Sequence, residues 1–111
     1  MNRLLAAGVL ALSSLAIAAP AAAQAYPDHA IKLVIPLPPG GGTDTLGRYV
    51  AQELGKKLGQ SVVPENKAGA GGAIGTDAVA KSKPDGYTLL VNSSIHVIVP
   101  SLYPSITYDP V

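Results

Sequence analysis

Two glycine-rich segments contain the residues of this sequence that are best suited to bind a ligand. The first reads Pro-Pro-Gly-Gly-Gly-Thr-Asp at residues 38–44, and the second reads Gly-Ala-Gly-Gly-Ala-Ile at residues 69–74. Each leads into a helical pattern. The first N–H groups of a helix lack an intrahelical acceptor, and glycine lets a ligand approach the backbone closely. Both segments therefore suit a carboxylate or phosphate, although glycines that only form tight turns between strand and helix are the open alternative.

Other chemistries do not match these segments. A phosphate-binding Walker loop ends in Gly-Lys-Ser/Thr, whereas here Thr43 and Asp44 follow the last glycine. The dinucleotide pattern fails because its third glycine comes one position late, at Gly75. Ser93 and Ser94 lack the Gly-x-Ser-x-Gly pattern of a hydrolase nucleophile. We therefore expect no nucleotide cofactor and no enzymatic activity.

Composition excludes further classes of protein. The sequence has 111 residues, no cysteine and two histidines, which leaves no disulfide and little material for a metal site. Beyond residue 25, seven basic and seven acidic residues give a formal net charge of zero. Nucleic-acid binders normally carry a basic surplus. We expect neither a metal site nor a nucleic-acid partner.

The first 25 residues have the order of an export signal. Arg3 precedes an uncharged, Leu/Ala-rich run over residues 4–19, and Ala23-Gln24-Ala25 is a small-x-small cleavage pattern. The run is shorter than the roughly 20 residues of a spanning helix. We predict cleavage near Ala25, no membrane insertion of the exported part, and one small domain of 86 residues over positions 26–111.

The remaining chain alternates strand and helix patterns. Residues 31–35 predict a buried strand, and Thr43 or Asp44 is the predicted N-cap of an amphipathic helix that Gly59 ends. The other predicted features are apolar helix positions Leu46, Tyr49, Val50, Leu54 and Leu58; a strand at 61–63 ending near Pro64; a loop at 66–72; a helix from Ala73 to about Lys83 with Ile74, Ala78 and Val79 inward; a strand at 87–91; a loop at 92–94; and a helical turn within 96–103 broken by Pro100.

This order predicts the fold class. Strand, helix, strand, helix and strand with short connections form a parallel α/β unit, βαβαβ, with predicted strand order 2-1-3. Ligands of such sheets bind beyond the carboxyl ends of the strands. The loops that begin at Leu37, Asn66 and Ser93 all lie at that edge, which makes them the candidate site.

Several ordered motifs resemble the tripartite tricarboxylate transporter substrate-binding receptors, often called the Bug family. They are residues 38–44; Glu-Asn-Lys-Ala-Gly-Ala-Gly-Gly-Ala-Ile-Gly at 65–75; Pro-Asp-Gly-Tyr-Thr-Leu-Leu at 84–90; Pro-Ser-Leu-Tyr at 100–103; and Tyr-Asp-Pro-Val at 108–111. The resemblance implies a periplasmic receptor of type II periplasmic-binding-protein-like fold. Such a receptor closes two lobes on a small carboxylate and delivers it to membrane transporter subunits.

The resemblance also implies which residues bind the carboxylate, through backbone amides and small polar side chains. They are Gly41, Gly42, Thr43 and Asp44 in the first segment, Gly71, Gly72, Ala73 and Ile74 in the second, and Ser93 and Ser94 after the third strand. Repulsion makes direct contact between the Asp44 carboxylate and an anionic ligand unfavourable, so orienting the loop or capping the helix is the alternative role for Asp44.

The length of the chain sets a further expectation. Receptors of this kind have two domains and on the order of 300 residues, against typical domains of 50–250. Residues 26–111 would then be the N-terminal part of the first lobe, with the second lobe absent. We expect a truncated carboxylate receptor with weak binding or none, because half a cleft leaves the ligand solvated. The alternative is an exported α/β structural or interaction domain that binds no ligand.

Overall fold

The structure is a computed structural model that describes residues 23–109. Most of the predicted export signal therefore lies outside the described residues. The elements are β1 (Ile31–Ile35), α1 (Gly42–Leu58), β2 (Val62–Asn66), a short 3₁₀ turn (Ala70–Gly72), α2 (Ala73–Ala80), β3 (Thr88–Leu90) and α3 (Ile95–Leu102).

The three strands form one parallel sheet in the order β2-β1-β3. Ile31 pairs with Val62 and Ile35 with Asn66, while Leu33 pairs with Leu89 of β3. The predicted parallel α/β unit and its strand order 2-1-3 are thus confirmed. Because parallel strands share a direction, their carboxyl ends all meet at one edge of the sheet.

The central strand β1 supplies most of the core. Ile31, Leu33, Val34 and Ile35 are at most 3% exposed, as expected for a parallel strand covered on both faces. Lys32 is the exposed exception in this strand. Its ammonium lies 3.2 Å from the Glu65 carboxylate of β2.

Helix α1 packs on the sheet through its smallest residues. A Cβ on Gly47 would lie 2.9 Å from both Ile35 Cδ1 and Val91 Cγ1, and Ala51 is also buried. The predicted apolar face is therefore wrong in part, since Leu46 and Tyr49 are 57% and 62% exposed. The other predicted apolar positions, Val50, Leu54 and Leu58, are half-buried. The backbone of α1 approaches β1 so closely that Gly47, rather than the neighbouring Leu46 or Tyr49, faces the sheet.

Helix α2 repeats this arrangement. A Cβ on Gly75 would lie 2.6 Å from the Lys67 carbonyl oxygen and 2.7 Å from Pro36 Cβ. Gly75 and Thr76 are the buried residues of the helix, whereas Ile74, predicted to point inward, is 51% exposed. Ala78 and Val79 are half-buried, and the helix ends at Ala80 rather than near Lys83.

Pro64 and Pro100 were predicted to end a strand and to break a helix, but both elements continue past them. Strand β2 continues through Pro64 to Asn66. It is an edge strand of the sheet, and a proline is tolerated there because its nitrogen can face away from the neighbouring strand. Helix α3 likewise continues past Pro100 to Leu102, and the Tyr103 N–H donates to the Val99 carbonyl to close it. The predicted break at Pro100 is wrong.

At the amino edge of the sheet, residues 26–30 lie against the turn before β3. The Tyr26 hydroxyl donates to the Gly86 carbonyl at 2.6 Å. The Tyr87 hydroxyl donates to the Asp28 carboxylate at 2.7 Å, and the His29 ring stacks on the Tyr87 ring. Hydrogen bonds to Tyr87 and His29 lower the pKa of Asp28. This N-terminal segment is therefore held at the edge opposite the candidate ligand site.

Candidate functional site

The two glycine segments lie side by side at the carboxyl edge of the sheet. Ile35 and Asn66, which end β1 and β2, are paired in the register. Pro36 follows Ile35, and a Cβ placed on Gly72 would lie 3.4 Å from the Pro36 carbonyl oxygen. The second glycine loop (residues 66–72) thus packs against the residue that leads into the first glycine loop (residues 37–42).

The first glycine loop ends directly in α1. Gly41 is the N-cap, with extended φ −83° and ψ 175°, so the prediction of Thr43 or Asp44 as N-cap is wrong. The helix begins at Gly42, and helical geometry leaves the N–H groups of Gly42, Thr43 and Asp44 without intrahelical acceptors. A Cβ on Gly41 or Gly42 would have no other atom within 4 Å. These two glycines therefore present open backbone.

The Asp44 carboxylate faces the loop and the neighbouring strand. It accepts from the Gly40 N–H at 2.9 Å, from Arg48 Nε at 3.1 Å and from Asn66 Nδ2 at 2.8 Å. The Asp44 residue is 5% exposed. These contacts give Asp44 a role in orienting the first glycine loop, one of the two roles expected for it.

Asn66 and Arg48 complete this network. Asn66 Nδ2 also donates to the Leu37 carbonyl at 3.1 Å, and Asn66 Oδ1 accepts from Arg48 at 2.7 Å. The first glycine loop is thereby tied at Leu37 and Gly40 to β2 and α1. We name Asp44, Arg48 and Asn66 the loop-1 network.

The loop-1 network keeps Asp44 ionised. Hydrogen bonds from the Gly40 N–H, Arg48 and Asn66, in that order of effect, lower the pKa of Asp44 from its ordinary 3.8 to about 2. The Arg48 charge is paired with this carboxylate. The network therefore adds little net charge next to the helix start, and a bound anion would interact mainly with backbone N–H groups.

The residues of the second glycine loop directly before α2 have a left-handed backbone conformation. Ala70, Gly71 and Gly72 have φ of 48°, 64° and 96°, and the Gly72 N–H donates to the Gly69 carbonyl at 2.9 Å. Ala73 is right-handed at φ −61° and starts α2, as predicted. A left-handed residue followed by a right-handed one turns successive N–H groups toward a common point. Here, however, the Gly72 and Ala73 N–H groups donate to the Gly69 and Ala70 carbonyls, so both already have backbone acceptors.

The loop after β3 is connected to the second glycine loop through Asn92. Asn92 Nδ2 donates to Thr76 Oγ1 at 3.3 Å, and the buried Thr76 hydroxyl donates to the Gly72 carbonyl at 2.9 Å. Asn92 Oδ1 accepts from the Ser93 N–H. The predicted residues Ser93 and Ser94 are exposed at this edge, and Ser94 is the N-cap of α3 without a side-chain cap bond.

Sequence reasoning missed Arg48, Asn66 and Asn92 as residues that shape the site. An available signal was an asparagine at or just past the end of two strands, since its amide both donates and accepts at such turns. The predicted residues all lie at the carboxyl edge, and their contact with a ligand remains a prediction.

The described part of the chain offers two glycine-rich helix starts as its candidate binding chemistry, with open backbone donors at the start of α1. Within residues 23–109, no group of three or more His, Asp or Glu side chains is arranged to hold a metal ion. No helix among the described residues has the length and apolar character needed to cross a bilayer.

Comparison with known proteins identifies the family. The sequence profile described as "Tripartite tricarboxylate transporter family receptor" matches residues 46–111, more than half of the chain. The chain belongs to this family. Its resemblance to tripartite tricarboxylate transporter receptors is thus confirmed.

Individual members of the receptor family agree with this assignment. The chain is 51% identical over 110 residues to Protein BugT of Bordetella pertussis, covering 97% of this chain and 34% of BugT. A solved periplasmic transporter superposes with a TM-score of 0.72 at 45% identity, covering 78% of this chain and 29% of that structure. MatC of Rhodopseudomonas palustris, solved with bound malate, superposes with a TM-score of 0.69 at 36% identity, covering 77% of this chain and 29% of MatC.

These receptors are much longer than the present sequence. The chain spans about a third of BugT and a little under a third of the two structures. The matched relatives are solute-binding receptors rather than enzymes, and receptors of this family are periplasmic. The α/β architecture matches part of their periplasmic binding fold.

Proposed function

We propose that the chain is the N-terminal part of the first lobe of a periplasmic receptor that captures a small carboxylate for a tripartite tricarboxylate-type transporter. The observation that carries this proposal is the adjacency of two glycine loops, each opening a helix, at the carboxyl edge of one parallel sheet. MatC, which shares this fold, is solved with bound malate. In this proposal residues 1–25 are a signal peptide, and the transporter's membrane subunits are the partners.

The proposed ligand contacts are mainly backbone N–H groups. Gly41, Gly42, Thr43 and Asp44 surround the start of α1, and Gly71, Gly72, Ala73 and Ile74 surround the start of α2. Ser93 and Ser94 add hydroxyls from the third loop. A charge-assisted hydrogen bond contributes about 1.5–3 kcal/mol, so two or three of them suffice for measurable affinity.

A single substitution can remove one of these donors without disturbing the helix. Proline is favoured at the first helical position, which Gly42 occupies, and the preceding Gly41 has the extended backbone that a residue before proline requires. Gly42→Pro therefore deletes one N–H, whereas Gly42→Ala retains it in the same open space.

Isothermal titration of the chain with small mono-, di- and tricarboxylates tests the proposal. We expect Gly42→Pro to weaken binding about 10-fold or more relative to Gly42→Ala, as the loss of one charge-assisted hydrogen bond requires. Equal affinities of the two variants would show that the Gly42 N–H does not contact the ligand. No binding by any carboxylate would reject the function for this chain.

A second candidate function is an interaction domain that binds no solute. It is favoured by exposed apolar side chains on α3, where Val97 and Leu102 are 70% and 61% exposed. If no carboxylate binds and the chain associates with itself at micromolar concentration in sedimentation experiments, this function is supported instead.

A further inference from the structure

A cavity of about 240 Å³ lies beside the second glycine loop, between α2 and residues 103–108. Ala73, Ile74 and Asp77 of α2 form one side. Tyr103, Ile106 and Tyr108 form much of the other. Its volume is slightly below the 300 Å³ at which small-molecule sites usually begin, so it suits part of a small ligand.

Specific contacts hold the outer wall of this cavity in place. The Thr107 hydroxyl donates to Asp77 Oδ1 at 2.5 Å, and the Lys81 ammonium donates to Asp77 Oδ2 at 2.8 Å. Lys81 also donates to the Thr107 hydroxyl at 3.3 Å. Residues 103–108 are therefore tied to α2 rather than merely adjacent to it.

The cavity is continuous with the second glycine loop. Ala73 and Ile74 both begin α2 and line the cavity. Tyr103 Cε2 lies 3.4 Å from the position that a Cβ on Gly71 would occupy, so the tyrosine ring packs directly on that loop. A group bound at the start of α2 is therefore next to the cavity mouth.

We propose that this cavity receives the carbon chain of the carboxylate and selects acids whose far end is uncharged and apolar. This inference rests on the proposed function, since the carboxylate itself is placed on the backbone N–H groups. Ile74, Ile106 and the two tyrosine rings supply apolar surface. Asp77 also lines the cavity, with its charge paired to Lys81, so a second carboxylate at the far end of the ligand would lose hydration on this apolar surface without gaining a cationic partner. The favoured class is the short aliphatic monocarboxylate.

The test is a chain-length series on the full chain. Acetate, butanoate and hexanoate are titrated by calorimetry, with succinate as the dicarboxylate of the same length as butanoate. Each methylene that enters the cavity tightens binding about fourfold. Butanoate binds more tightly than succinate. In NMR spectra, acetate shifts the loop amides, and hexanoate also shifts the methyl signals of Ile74 and Ile106.

A matched pair of variants locates the effect. Ile106→Ser removes apolar surface from the cavity wall, whereas Ile98→Ser changes an exposed isoleucine of α3 that does not line the cavity. We expect Ile106→Ser to weaken hexanoate binding about 5- to 10-fold and to leave acetate binding unchanged, while Ile98→Ser alters neither.

The outcomes separate this inference from the proposed function. If carboxylates shift the loop amides but affinity is independent of chain length, or succinate binds more tightly than butanoate, the cavity assignment is wrong and the receptor function stands. The same conclusion follows if hexanoate changes the NMR shifts of the loop amides but not those of the Ile74 and Ile106 methyl groups. If no acid shifts any loop amide, both proposals are rejected.

Discussion

The side-chain amide of Asn66, at the end of β2, donates to the Asp44 carboxylate in the first turn of α1 at 2.8 Å. The same amide nitrogen donates to the Leu37 carbonyl, 29 residues away in sequence. One asparagine thereby links the strand end, the helix start and the first glycine loop. The shape of the candidate carboxylate site depends on this contact, although no atom of Asn66 need touch the ligand.

Asn66→Ala is expected to destabilise the chain by about 1–3 kcal/mol, because the Leu37 carbonyl and the Asp44 carboxylate each lose a donor in a partly buried setting. Urea unfolding measures this change. Gln52→Ala on the exposed face of α1 is the control, since it removes an amide outside the network. Equal midpoints for the two variants would contradict a structural role for Asn66.

Stability is expected to fall in acid because of Asp44. Its pKa in the folded chain is about 2, below the ordinary 3.8, so the folded state favours the ionised carboxylate. The resulting stabilisation is fully present above about pH 4 and is lost as pH falls through about 2. The lowered pKa values of Asp28 and Asp77 act in the same direction.

Asp44→Asn isolates this contribution. Urea unfolding of both proteins between pH 7 and pH 2 should show a difference in stability that narrows as pH decreases from about 4 to about 2. The Asp28 and Asp77 contributions remain in both proteins and cancel in the difference. A difference that stays constant over this range would show that the loop-1 network does not depend on the Asp44 charge.

Gly75→Ala is expected to destabilise the chain by about 1–3 kcal/mol despite the better helix propensity of alanine. The added Cβ would lie 2.6 Å from the Lys67 carbonyl and 2.7 Å from Pro36 Cβ, so α2 must move away from β1. Gly42→Ala is the control, because its Cβ meets no other atom within 4 Å. In thermal unfolding, the melting temperature of Gly75→Ala should be well below that of Gly42→Ala. The reverse order would contradict the close packing of Gly75 against Lys67 and Pro36.

Gly86→Ala is expected to displace Tyr26 from the turn before β3. The added Cβ would lie 2.9 Å from the Tyr26 hydroxyl oxygen, and Gly86 has φ +80°. Gly59→Ala carries a similar backbone strain, at φ +69°, without a close contact. Both substitutions should lower the free energy of unfolding by about 1 kcal/mol through backbone strain. Gly86→Ala should lower it further, because it also displaces the Tyr26 side chain. When Tyr26 is replaced by alanine, the two glycine substitutions should destabilise the chain equally. A larger effect of Gly86→Ala in that background would show that Tyr26 does not contact position 86.

Much of the fold can be predicted from the sequence because its signals are local. The β-branched run at Ile31–Ile35, the αL glycine at Gly59 and the start of α2 at Ala73 lie where residue types indicate. Strand order follows from short right-handed crossovers, and the family from motifs in a fixed order. The two glycine segments could likewise be assigned to the carboxyl edge from the sequence alone.

Only the tertiary structure decided which helix faces are buried and what holds the loops. Hydrophobic periodicity favours Leu46 and Ile74 as inward residues, but the helices approach the sheet through Gly47 and Gly75, where the absence of a side chain permits close packing. The contacts of Asn66 with Leu37 and Asp44 span 29 and 22 residues. Local sequence patterns record each residue's own preferences, whereas such contacts depend on where distant segments meet once the sheet has formed.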